Sequence, residues 1–180
     1  MSTTPRRNSV TRKSSELKSH VKPNSNQEFI EEQDEPTPMN KELFTLDKTG
    51  VLKQWNVDTK KLTSNWGQMH QGVVKSMVIE PNHRVIFIGG GDGSLKEFNI
   101  DTKEFSFDFG KAHSKAITCM GINKDSRFLV TASEDCQIKQ WCLKSNNLLK
   151  VKESAHEKEI SSLVVHPFKD FIMTGSADEH

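Results

Sequence analysis

The chain has 180 residues, of which 33% are apolar, and its formal net charge is only +1. A charge so close to neutral gives no global field that would attract nucleic acid or an acidic membrane surface. It also lacks an apolar run of about 18 residues and an apolar stretch near its N-terminus, so the sequence predicts neither a membrane span nor a secretory signal.

Cysteine usage agrees with a reducing compartment. The three cysteines, Cys119, Cys136 and Cys142, form an odd set without a Cys-x-x-Cys pair. Reduced thiols are typical of intracellular proteins, and this pattern favours neither disulfides nor a zinc site. We therefore expect an intracellular, cytoplasmic protein, with cytoskeletal and nuclear locations left open.

Residues 1–40 differ in composition from the rest of the chain. They contain seven apolar residues and one aromatic, Phe29, which is too little apolar surface to offset the entropy cost of ordering them. Six basic residues lie between Met1 and Lys22, and all the acidic residues but Glu16 follow Pro23. We predict a disordered, charge-segregated tail.

The tail also contains two candidate phosphorylation sites. Arg6 and Arg7 precede Ser9 in the arrangement that basophilic kinases recognise, and Thr37 is followed by a proline. A phosphate on Ser9 would add about −1.5 to −2 charges to a basic segment and could release or create a contact there.

From residue 41 onward the sequence repeats with a period of 43 residues. Histidines, aspartates and aromatic residues recur at this spacing, at His70, His113 and His156, at Asp92, Asp135 and Asp178, and at Trp55, Phe98 and Trp141. A period kept through three copies without an insertion indicates an array of one supersecondary unit.

Each unit divides into short apolar runs bounded by turn residues, a pattern that predicts strands and no helices. A partial unit at 41–67 is followed by a full unit at 68–110, with strands predicted at 73–79, 85–88, 95–100 and 105–109. The next full unit, 111–154, has strands predicted at 117–122, 128–133, 138–143 and 148–151. The partial unit at 155–180 ends soon after Asp178. A full unit is therefore expected to form four antiparallel strands.

A unit of this length with His113, Ser133, Asp135 and Trp141 in these places resembles a WD-repeat blade of the G-protein beta-like β-propellers. The resemblance covers residues 41–180 and implies an all-β fold, a propeller fragment of about three four-stranded antiparallel blades. Propellers have roughly four to eight blades. We therefore expect a piece of a longer propeller, a truncated gene product, or a subunit whose ring another chain completes.

The resemblance assigns a structural role to the recurring polar residues. In the family they form a buried chain of hydrogen bonds from tryptophan through serine and histidine to aspartate. Carried over, this implies a full tetrad of His113, Ser133, Asp135 and Trp141, and partial sets of His156, Ser176 and Asp178 and of His70 and Asp92. In the unit 68–110, Gly90 replaces the serine and Phe98 the tryptophan, which predicts a softer blade.

Two chemical roles are alternatives for these residues. His113, Ser133 and Asp135 have the side chains of a catalytic triad, but a hydroxyl held by two partners is a poor nucleophile. The sequence also lacks a Gly-x-Ser-x-Gly motif, so we predict no catalytic residue and no enzymatic activity. One histidine per unit places each in a different blade, where they cannot converge on one ion, so we predict no metal and no cofactor.

The resemblance further implies a partner-binding face, formed by the loops that carry the histidines and aspartates. The positions carried over from the family are Val73, Lys75, Gly91, Ala116, Thr118, Glu134, Glu159, Ser161 and Ala177. They include no aromatic or arginine side chain, the types enriched in binding hot spots. They therefore predict a surface without identifying its ligand.

Two functions fit this sequence. The favoured hypothesis is a non-enzymatic scaffold that binds other proteins. The alternative is a targeting module of a larger enzyme, a kinase or a ubiquitin-ligase assembly, whose catalytic part lies outside this chain. No nucleic acid is expected as a partner because Lys53, Lys96 and Lys139 have acidic neighbours and no stacking aromatics.

Overall fold

The computed structural model describes residues 41–166, 169 and 171–178, and the predicted tail with Ser9 and Thr37 lies outside these residues. The described residues form four antiparallel sheets, which we call blades 1 to 4. Their strands, in chain order, are β1 (Glu42–Leu46), β2 (Val51–Asn56) and β3 (Lys61–Gln68) in blade 1; β4 (Val74–Glu80), β5 (Val85–Gly90), β6 (Ser94–Asn99) and β7 (Glu104–Lys111) in blade 2; β8 (Ile117–Ile122), β9 (Phe128–Ser133), β10 (Ile138–Cys142) and β11 (Leu148–Lys152) in blade 3; and β12 (Ile160–Val165) and β13 (Ile172–Ser176) in blade 4.

The all-β, propeller-type architecture predicted from the repeat is confirmed. Blades 2 and 3 each have four strands joined in chain order, whereas blade 1 has three described strands and blade 4 has two. The predicted strand bounds differ by at most two residues, the largest difference being that β5 and β7 run on to Gly90 and Lys111. No helix long and apolar enough to cross a membrane occurs in the part of the chain that the structure describes.

The second strand of each full blade is buried because both of its faces are covered. Ile86 and Ile88 pack with Leu52 of blade 1, whereas the intervening Phe87 packs with Ile117 and other residues of blade 3. Successive side chains of a strand point to opposite faces, so one strand serves two interfaces. Each fully buried side chain of this size contributes about 1.5–3 kcal/mol through the apolar area removed from water.

The loop that leaves each blade hydrogen-bonds to the turn that precedes the last two strands of that same blade. The N–H groups of Met69, His113 and Ala155 donate to the carbonyl oxygens of Gly50, Gly93 and Cys136, at 2.7, 3.0 and 2.9 Å. The acceptors recur every 43 residues and all have positive φ, of 84°, 85° and 65°. At Gly93 a glycine is required by close approach as well, because a Cβ there would lie 2.1 Å from the carbonyl oxygen of His113.

Candidate functional site

A buried chain of hydrogen bonds crosses blade 3, and its hydroxyl belongs to Thr131. The Trp141 indole N–H donates to Thr131 Oγ1 at 3.0 Å. Thr131 Oγ1 lies 2.8 Å from His113 Nε2, and His113 Nδ1 lies 3.0 Å from Asp135 Oδ2. Histidine, aspartate and tryptophan thus occupy the arrangement that was predicted, but the prediction of Ser133 was wrong.

Ser133 lies two residues after Thr131 on β9 and outside this chain of hydrogen bonds. Its Oγ accepts the backbone N–H of Asp135 at 3.1 Å and donates to the carbonyl of Lys115 at 3.3 Å. Thr131 and Ser133 share a face of β9 because they are two residues apart. The indole of Trp141, which pairs across the sheet with Leu129, reaches the nearer of the two hydroxyls. Ser133 therefore orders the turn that carries Asp135.

A signal for Thr131 was present in the sequence. Thr45, Thr131 and Thr174 recur at multiples of 43 residues, as the histidines do. In blade 1, Thr45 Oγ1 accepts the Trp55 indole N–H at 2.9 Å, although Thr49 stands at the aspartate position. In blade 4, Thr174 Oγ1 lies 2.9 Å from His156 Nε2.

Blade 4 has the same arrangement of histidine, threonine and serine as blade 3. His156 Nδ1 lies 2.9 Å from Asp178 Oδ2, as predicted for this pair. Ser176 does not touch the imidazole, and its Oγ instead accepts the backbone N–H of Asp178 at 3.2 Å. Threonine thus supplies the hydroxyl and serine holds the aspartate turn in both blades.

The donors and acceptors of blade 3 are consistent with one protonation state. The pKa of His113 lies below its ordinary value because burial disfavours the imidazolium, even though Asp135 acts in the opposite direction. Burial would raise the pKa of Asp135, but the His113 contact and the N–H groups of Ser114 and Gln137 hold it below its ordinary value. A neutral His113 then donates from Nδ1 to the carboxylate and accepts the Thr131 hydroxyl at Nε2.

This network is a poor catalytic centre. His113 is 1% exposed and Thr131 is 0% exposed, so no substrate can reach the hydroxyl in this conformation. The Thr131 oxygen already donates to the imidazole and accepts from the indole. Each member satisfies its neighbours, so the chain of bonds links the loop of His113 to β9 and β10.

Blade 2 departs from the pattern, and His70 is turned around. Ile88 stands at the threonine position and offers no hydroxyl, and Phe98 offers no indole N–H. His70 Nε2 lies 2.6 Å from Ser94 Oγ and 3.7 Å from Asp92, whose pKa the N–H of Ser94 holds low. His70 Nδ1 is buried without a hydrogen-bond partner. The predicted pairing of His70 with Asp92 is therefore a long contact.

The missing side chain at Gly90 is what permits this position of His70. A Cβ there would lie 2.5 Å from His70 Nε2 and 2.4 Å from Asp92 Oδ1. The imidazole occupies the space that a serine would fill. Blade 2 thus lacks the polar chain because of Ile88 and Phe98, and Gly90 leaves the space that the His70 imidazole occupies.

The residues expected on the partner-binding face fall into two groups. Val73 is 52% exposed, and the side chains of Lys75 and Glu134 are 48% and 32% exposed. Gly91 adjoins Val73 through a 2.7 Å backbone hydrogen bond. The other exposed positions are Glu159, Ser161 and Ala177. Lys75 Nζ and Glu134 Oε1 are 4.0 Å apart, so an ion pair joins blade 2 to blade 3 on this face.

Two positions of that set are buried or hydrogen-bonded inside the protein. Ala116 is only 3% exposed, which contradicts its assignment to the contact surface. Thr118 is half-buried, and its hydroxyl contacts the carbonyl oxygens of Ile160 in blade 4 and of Ala132. Thr118 thus lies where blade 3 packs on blade 4. The remaining seven positions stay a predicted binding surface.

Comparison with protein-family models gives a match. The family model described as "WD domain, G-beta repeat" matches residues 104–142 and 147–180. These segments each begin at the last strand of one blade and continue into the next. No curated protein matches this chain. The described residues contain no cluster of three or more histidine, cysteine or acidic side chains placed to hold a metal ion.

Proposed function

We infer that this chain, which belongs to the WD-repeat family, is a non-catalytic scaffold that binds other proteins through the face carrying Val73, Lys75 and Glu134. WD-repeat domains typically mediate protein–protein contacts, and catalysis is not their usual role. The polar network of blade 3 supports a structural role for the His and Asp residues, since its members are buried and mutually satisfied. The scaffold acts within the cell, in keeping with its three unpaired cysteines.

The observation that carries this proposal is an exposed apolar side chain beside an inter-blade ion pair. Val73 is more than half exposed, and Lys75 and Glu134 lie on the same face. A partner that covers Val73 gains apolar burial. A partner with its own acidic and basic groups could exchange them with the Lys75–Glu134 pair, which is long and screened by solvent.

The test compares partner capture by the full chain and by surface variants. We expect a set of proteins captured by the native chain to be lost with Val73→Asp and with Glu134→Lys. A matched control, Lys144→Glu, changes an exposed charge at the opposite end of blade 3 and should retain the same set. Retention of that set by Val73→Asp and Glu134→Lys would show that the binding surface lies elsewhere.

A further inference from the structure

A groove between blades 2 and 3, called groove 2–3, lies at the opposite end of the strands from the predicted partner face. Its volume is about 570 Å³, which is in the usual range for binding sites. Val85 and Phe87 of β5 and Leu143, directly after β10, give it an apolar floor. Val85 and Phe87 are 8% and 1% exposed, so the floor is part of the packed interface. The aliphatic part of a long side chain can be buried against it.

The ionisable side chains that line groove 2–3 are Glu80, His83, Glu97 and Lys144. Glu80 is 1% exposed, and four donors of the protein already occupy its two oxygens. One of these donors is the ring of His83, which carries a positive charge only when both of its nitrogens are protonated. Lys144 is exposed and is the only permanent cation among the described lining residues. Two carboxylates against one ammonium leave the groove negative when His83 is neutral.

Unlike Glu80, Glu97 can still accept further hydrogen bonds. Its Oε1 accepts the Ser106 hydroxyl at 2.7 Å, and its Oε2 accepts Asn146 Nδ2 at 3.2 Å. Each oxygen of a carboxylate can accept two hydrogen bonds, so each has one position left. In the same amide, Asn146 Oδ1 is buried without a hydrogen-bond partner. The contact with Glu97 fixes the orientation of this amide, because the nitrogen must face the carboxylate. Glu97 and Asn146 therefore provide acceptors that lack donors.

An exposed aromatic ring flanks the Glu97 carboxylate. Phe107 lies directly opposite Glu97 in the β6–β7 pair, so both side chains project from the same face of blade 2. The Phe107 side chain is 41% exposed. A guanidinium group can bind a carboxylate through two parallel hydrogen bonds and also pack its plane on an aromatic ring, which a lysine ammonium cannot do. The pair of Glu97 and Phe107 therefore favours arginine as the bound cation.

We propose that groove 2–3 binds an extended segment of a partner protein through an arginine side chain. The aliphatic part of this arginine packs on the floor at Phe87 and Leu143. Its guanidinium donates to Glu97 and packs on the ring of Phe107. A guanidinium has five N–H donors, so it also supplies the donor that Asn146 Oδ1 lacks. Apolar residues on either side of the arginine in the partner segment cover the rest of the floor.

This site is separate from the predicted partner face and does not depend on it. Val73 precedes β4, whereas Glu80 is the last residue of that strand. The two surfaces therefore lie at opposite ends of blade 2, and a substitution in one leaves the other unchanged.

Isothermal titration calorimetry of the full chain at pH 7.5 tests the proposal, with the synthetic peptide acetyl-Ala-Leu-Arg-Leu-Ala-amide as the probe. We expect saturable binding that Glu97→Gln weakens about tenfold, because a charge-assisted pair is lost. The matched control Asp108→Asn also removes one carboxylate from blade 2. Asp108 faces Lys96 at 3.9 Å on the other side of the sheet, so this variant should change the affinity by less than about twofold. Lys144→Gln removes the cation of the groove and should tighten binding about twofold to threefold.

A second peptide, in which citrulline replaces arginine, keeps the shape of the side chain and removes its charge. It should bind the native chain about tenfold more weakly or not at all. Phe107→Ser provides a variant that leaves Glu97 in place, and it should weaken binding of the arginine peptide about threefold. Thermal unfolding followed by circular dichroism checks that each variant is folded, and Phe107→Ser carries the test if Glu97→Gln is not.

Three results would overturn the proposal. Equal binding of the arginine and citrulline peptides would show that the groove does not recognise the cation. Equal weakening by Glu97→Gln and Asp108→Asn, or by neither, would show that the peptide binds outside groove 2–3. Absence of saturable binding to the native chain at millimolar peptide would also reject it.

Discussion

At the scale of single residues, one threonine decides how the polar chain of blade 3 is connected. Thr131 accepts from Trp141 and donates to His113, and Ser133 serves a turn two residues further on. In blade 2 the Ser94 hydroxyl donates to Asp92, so the Nε2–H of His70 donates to Ser94. His113 and His70 therefore carry their protons on different nitrogens. The loss of one hydroxyl at Ile88 accompanies this change.

Substitution of Thr131 by valine should destabilise the protein far more than substitution of Ser133 by alanine. Thr131→Val leaves the indole N–H and His113 Nε2 buried without partners, at an expected cost of about 2–4 kcal/mol. Ser133→Ala removes weaker contacts and should cost about 1 kcal/mol. Urea unfolding followed by circular dichroism measures both. Equal losses of unfolding free energy in the two variants would show that Ser133 belongs to the hydrogen-bond network.

At the scale of elements, each blade interface depends on a buried second strand and on a loop that serves two blades. The N–H of His113 donates back to Gly93 of blade 2, and its imidazole points into blade 3. β5 packs against blades 1 and 3 at once. Blade 2 keeps this packing while lacking the polar chain, so packing and backbone hydrogen bonds maintain its four strands without that chain.

Gly90 in β5 should not tolerate the serine that its repeat position suggests. Gly90→Ser places a Cβ against His70 Nε2 and Asp92 Oδ1, and we expect a loss of about 1–3 kcal/mol from overpacking. In an Ile88→Thr, Phe98→Trp background, a hydroxyl and an indole N–H can draw His70 into the arrangement of blade 3. The same Gly90→Ser step should then cost less, as a double-mutant cycle in urea would measure. Equal costs in both backgrounds would show that Ile88 and Phe98 do not set the position of His70.

At the scale of the whole molecule, a neutral histidine links acid stability to the contact between blades. Burial holds the pKa of His113 below its ordinary value of 6.5, whereas the unfolded chain takes up a proton near that value. The stabilisation is therefore fully present above about pH 6.5 and is lost as the pH falls. The depressed pKa of Asp135 acts in the same direction at more acidic pH.

Between pH 7.5 and 5, we expect the free energy of unfolding to fall by about 1–2 kcal/mol. His113→Gln should be less stable at pH 7.5 and should show a flatter dependence over the same range, because its side chain does not titrate. Urea unfolding at several pH values gives both curves. Parallel curves for the native chain and the variant would mean that another group is responsible.

The sequence by itself determined the all-β repeat unit, the strands of each full unit and the residues His113, Asp135 and Trp141, because a 43-residue period preserves positions in a repeated unit. Only the tertiary structure distinguished Thr131 from Ser133, since both lie on one face of β9 and the reach of an indole across the sheet selects between them. It also showed that Ala116 is buried, because burial depends on packing between segments that are far apart in the sequence.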